Sequence, residues 1–135
     1  MYSNILVPIS FDDDRDAAGA VKIARALAAD GADITLLHVM EQVPSYALNY
    51  ISEEHRAESR RAVQIELDSM AADVPGGKGV VVEGHSGRTI LDWSEDAGVD
   101  CIVIASHRPG MQDIFLGSTA TQVVRHAHCA VHVIR

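Results

Sequence analysis

Short apolar runs recur along this chain, and each but the last is followed by a segment of helical character. The runs are Asn4-Ile5-Leu6-Val7-Pro8-Ile9, Ile34-Thr35-Leu36-Leu37-His38-Val39, Gly79-Val80-Val81-Val82-Glu83, Cys101-Ile102-Val103-Ile104-Ala105 and Ala130-Val131-His132-Val133-Ile134. A strand that is apolar at successive positions is covered on both faces, the environment of a parallel sheet. Segments 17–29, 53–72, 87–97 and 118–126 read as the helices between them. The first carries Val21, Ala24, Leu27 and Ala28 at helical spacing, and the second offers Ala62, Ile65, Leu67, Met70 and Ala71 as apolar positions. One of Asp12, Asp13 and Asp14 can cap the first helix, and Asp30-Gly31-Ala32-Asp33 ends it. Pro75-Gly76-Gly77 breaks the second, Ser86 caps the third and Gly98 closes it. Segment 41–52, with Pro44, Tyr46 and Tyr50, reads as a surface loop. Strict strand–helix alternation implies an α/β fold: an open five-stranded parallel sheet with helices on both faces, as one domain over 1–135.

The chain has 135 residues and a formal net charge of −8. That balance argues against nucleic acid or an anionic membrane as partner, because both need clustered Lys and Arg. A small anion held by backbone N–H groups remains compatible with it. Cys101 and Cys129 lie in apolar surroundings and read as buried structural thiols. No basic n-region or long apolar run marks a signal peptide or a membrane helix, so the expected location is the cytoplasm. The spacing His126-x-His128-x-x-x-His132 spans a helix end, a turn and a strand, so convergence on a metal is not expected.

In an open parallel sheet, ligands bind beyond the carboxyl ends of the strands. Four segments fall there: Pro8-Ile9-Ser10, Val39-Met40, Glu83-Gly84-His85 and Ala105-Ser106-His107-Arg108-Pro109-Gly110. The last is the most polar. It runs on to Gly117-Ser118-Thr119, which opens the final helix and offers N–H groups, two hydroxyls and close backbone approach to a phosphate. The competing reading is that Ser118 is only an N-cap and Gly117 only a turn. Neither Gly-x-x-x-x-Gly-Lys-Ser/Thr nor Gly-x-Gly-x-x-Gly at the first helix occurs. Asp12, Asp13 and Asp14 read either as exposed capping carboxylates or as helpers of a phosphate-bound Mg²⁺. No nucleophile–base pair stands out, so no catalytic residue is assigned.

Ile5-Leu6-Val7-Pro8, Leu36-Leu37-His38-Val39, Ile104 to Gly110, Leu116-Gly117-Ser118-Thr119-Ala120 and the ending Val124 to Arg135 resemble the universal stress proteins, in the same order and over the whole chain. The resemblance implies a Rossmann-like three-layer sheet of the adenine nucleotide alpha-hydrolase-like kind. It also implies a stress-response homodimer formed through the last strand, and ATP or AMP as ligand, with Mg²⁺ as its companion ion. One branch of the family binds ATP with a Gly-x-x-Gly, nine residues, Gly-Ser/Thr pattern. Here Ala105 stands at the first Gly, the second is either Arg108 or deleted, with eight residues between Arg108 and Gly117, and Gly117-Ser118 is intact. The Ser-His-Arg-Pro form looks like a nucleotide-binding variant of that loop. Ser10 stands where an Asp usually follows the first strand.

The expectation is therefore a nucleotide-responsive binding module with at most slow ATP hydrolysis or autophosphorylation. Adenine would sit by Val39, against Pro8, Ile9 and Ser10. The phosphates would be bounded by Ser106, His107, Arg108, Gly117, Ser118 and Thr119, and Ala105 belongs to the same nucleotide-binding set. Two chains would pair antiparallel over 130–134. The alternative is a ligand-free dimeric interaction protein of the same fold.

Overall fold

The computed structural model describes residues 1–11, 16–47, 49–106 and 116–135. Five strands form one sheet: β1 (Tyr2–Pro8), β2 (Ala28–Met40), β3 (Gly77–Glu83), β4 (Cys101–Ala105) and β5 (Ala130–Ile134). Their order is β3-β2-β1-β4-β5, and every neighbouring pair is parallel. The helices are α1 (Ala17–Leu27), α2 (Glu53–Ala71), α3 (Ser86–Asp96) and α4 (Ser118–His126), with a short 3-10 turn at Ser45–Ala47.

The apolar runs form central strands because both faces are covered. Ile5, Leu6 and Val7 are all fully buried. Ile5 and Val7 join Leu36 and Val103 beneath Ala20 and Ala24 of α1 and Leu67 and Ala71 of α2. Leu6 joins Leu37, Ile102 and Ile104 beneath Ile90 of α3 and Ala120 and Val123 of α4. Each of these Val, Leu and Ile side chains contributes about 1.5–3 kcal/mol on burial. Cys101 faces the first core, and Cys129 and Trp93 pack on the second. Burial pushes the Cys101 thiol up to about 11, with Cys129 and Asp100 adding to the effect, so little thiolate exists at neutral pH.

Several element ends differ from the sequence reading. The carboxylate that caps α1 is Asp16, which accepts the Gly19 N–H at 2.8 Å, and no member of 12–14 is needed for that cap. The helix stops at Leu27, short of Gly31, because Ala28 is already extended and pairs with Tyr2. The pairing then jumps to Asn4↔Asp33, and Gly31 (φ +78°) turns the chain inside that excursion. Ser86 is not a cap: His85 holds that position without a side-chain bond, and Ser86 is the first helical residue. On α2 the buried stripe is Leu67 and Ala71 with Val63 and Met70 beside them, whereas Ala62 and Ile65 are exposed. Residues 63, 67, 70 and 71 share one face, and 65 falls across the helix from them.

The two sheet edges are treated differently. Ile34 donates to the Gly76 carbonyl and Gly84 to that of Met40, so even-numbered β3 residues bond inward and Gly79 and Val81 face outward. Gln64 Nε2 donates to the Gly79 carbonyl at 2.9 Å, and Arg60 to that of Val81 at 3.5 Å. Arg56 and Arg60 also pair with Glu83 at 3.2 and 3.9 Å. On β5, Ser106 donates to the Ile134 carbonyl at 2.9 Å, which turns Val131 and Val133 outward. No hydrogen bond to their outward groups is made among the described residues. No helix among those residues is long and apolar enough to cross a membrane.

Candidate nucleotide site

β1 lies between β2 and β4, so the chain's direction of winding reverses at the β1–β4 boundary. The carboxyl ends of these strands open into a cleft of about 480 Å³. Six of the residues assigned to the nucleotide from sequence line it together: Pro8, Ile9, Ser10, Val39, Ala105 and Thr119.

The near wall is the exit of β1. The Ile9 N–H donates to the Leu37 carbonyl at 2.8 Å, one residue past the strand. The Ile9 carbonyl is 2.7 Å from His38 Nδ1, and the Phe11 ring lies 5.0 Å from the His38 ring, tilted by 57°. The opposite wall comes from the β2 exit and α3. Ser86 Oγ donates to Glu41 Oε1 at 2.6 Å, joining those two elements across the cleft rim. Gly84, at φ +152°, makes the turn into α3, and a Cβ there would run into the Thr89 hydroxyl.

The floor near β4 is organised by Ser106, which is fully buried. Its carbonyl accepts the Gly117 N–H at 2.7 Å. Gly117 is the N-cap of α4 and supplies no side-chain cap, so Ser118 is the first helical residue and not a cap. Gly117 is extended (φ −62°, ψ 158°), a conformation open to any residue; its missing Cβ matters only for close approach. The first helical bond is Thr121 N–H to the Gly117 carbonyl at 2.9 Å. The N–H groups of Ser118, Thr119 and Ala120 therefore have no acceptor within the helix, and the positive end of α4 stands at the cleft. His107, Arg108 and Asp12 to Asp14 lie outside the described residues.

Sequence reasoning did not single out His38, Glu41 and Ser86 as cleft residues. Their signal was positional: each is a polar residue at a strand exit or helix start on the carboxyl edge of the sheet.

The family model described as the Universal stress protein family matches residues 1–135. Universal stress protein G of Escherichia coli O157:H7 is 31% identical over 142 residues, covering 100% of both chains. The structure of universal stress protein UspA from Lactobacillus plantarum aligns with a TM-score of 0.76 at 29% identity, over 99% of this chain and 98% of that one. A universal stress protein from Archaeoglobus fulgidus, solved in complex with dAMP, aligns with a TM-score of 0.64 at 19% identity, over 99% and 98% of the two chains. A further universal stress protein, in complex with cAMP, aligns with a TM-score of 0.69 at 17% identity, over 99% and 97%. The chain belongs to the universal stress protein family, with that family's adenine nucleotide alpha-hydrolase-like fold.

Proposed function

We propose that this protein binds an adenine nucleotide, ATP or AMP, in the β1–β4 cleft, and that the bound state modulates protein interactions of a cytoplasmic homodimer in a stress response. The carrying observation is the meeting, in one cleft, of the strand exits Pro8–Ser10 and Val39 with the N-terminus of α4 at Thr119. Apolar strand ends suit a purine face, and a helix N-terminus suits a phosphate. The complexes of two same-fold relatives with dAMP and cAMP support the adenine class.

The chemistry on hand is binding chemistry. The described cleft residues supply binding groups, and hydrolysis is not assigned. The dimer would form by antiparallel pairing of β5 with a second copy, because Val131 and Val133 present their backbone groups at an open edge.

Calorimetry with ATP and AMP on nucleotide-stripped protein is the test, supported by identification of any nucleotide that co-purifies. Saturable binding of either one, with GTP at least tenfold weaker, is expected. Absence of binding by both would move the protein to the ligand-free interaction class.

A further inference from the structure

His38 is a polar residue in the apolar run of β2. Leu36 faces the core under α1 and α2, so strand alternation puts His38 on that same face, towards the β1 exit. There its Nδ1 meets the Ile9 carbonyl at 2.7 Å. A carbonyl only accepts, so Nδ1 is the donor in this contact and carries a proton. Ile9 is thereby held twice by successive residues of β2, its N–H by the Leu37 carbonyl and its carbonyl by His38. The Phe11 ring, two residues on, rests against the same imidazole. Ser10, a cleft-lining residue, lies between these two anchored positions.

We propose that His38 is the positioning residue of the nucleotide site, a latch that fixes the β1 exit before ligand arrives. This inference rests on the adenine-nucleotide reading of the cleft. Ordering the β1 exit only on binding would oppose affinity. The Nδ1–H bond and the Phe11 contact supply that order in advance.

The test uses the side chains that mimic one ring nitrogen each. His38→Asn places an amide N–H at the position of Nδ1, whereas His38→Gln places it near Nε2. ATP and AMP affinity is measured by calorimetry for both variants, for His38→Leu and for the wild-type protein. Asn is expected to bind within about threefold of wild type. Gln and Leu are expected to bind about tenfold more weakly, the value of one lost hydrogen bond. Equal affinity in Asn and Gln, whether at the wild-type or at the Leu level, overturns the proposal. The ¹⁵N spectrum of the wild-type imidazole is an independent readout that needs no variant to fold. A proton on Nδ1 at neutral pH supports the latch, and a proton on Nε2 alone overturns it. If the wild-type protein binds no adenine nucleotide, the function reading falls, and the ¹⁵N spectrum still decides whether the latch exists.

Discussion

The Ser106 carbonyl accepts the Gly117 N–H at 2.7 Å, so the residue leaving β4 and the residue capping α4 are joined directly. Gly117 is extended, and valine tolerates that backbone. Gly117→Val should therefore fold, at a cost of about 1 kcal/mol for a poorer N-cap. Its branched side chain would nevertheless stand where a phosphate must approach the N–H groups of α4. ATP affinity should fall at least tenfold by calorimetry while the thermal transition stays cooperative. Wild-type affinity in a folded variant would remove the phosphates from this helix.

Val39 lines the cleft and packs partly against the core under α3 and α4. Val39→Arg should abolish nucleotide binding by filling the adenine position with a long charged chain. The domain should remain folded, with a loss of about 1–2 kcal/mol in denaturant unfolding. Unchanged affinity would relocate the pocket.

Asp100 anchors the amino terminus. Its carboxylate accepts the Ser3 N–H at 2.9 Å, the Ser3 hydroxyl at 3.0 Å and the Asn4 N–H at 3.0 Å. Burial alone would raise its pKa, but these donors outweigh it and hold the group below the ordinary 3.8. A depressed folded-state pKa means stability present above about 3.8 and lost as pH falls through the lower folded value. Urea unfolding between pH 2 and pH 6 should show this arm, and Asp100→Asn should flatten it.

Val133 directs its backbone N–H away from β4, because Ile134 is the residue bonded to Ser106. Val133→Pro removes that outward donor and spares the β4 ladder. Light scattering at micromolar concentration should give a dimeric mass for the wild-type protein and a monomeric one for the variant. A monomeric wild-type protein would end the pairing proposal.

How much was readable beforehand follows from where the residues carry side-chain signals. The limits of β4, α4 and β5 match the sequence reading because polarity changes abruptly at each end. The α1–β2 junction was not legible, since Ala28 and Ala29 suit helix and strand alike and only pairing with Tyr2 decides between them. Ile65 misled because apolar identity alone does not give helical phase. The carboxyl-edge rule brought Pro8, Ser10 and Val39 into view. His38 escaped it because its partner, the Ile9 carbonyl, is backbone and leaves no trace in residue type.

The cover that Gln64 and Arg60 place over the outward carbonyls of β3 sets a valence for the molecule. A subunit with two sticky borders is divalent and grows into fibrils; one with a single sticky border is monovalent, and its association terminates at a pair. If β5 pairs with a second copy as proposed, two adjacent turns of α2 would act as a chain terminator. Loss of both side chains would make polymerisation, rather than unfolding, the characteristic failure of this protein.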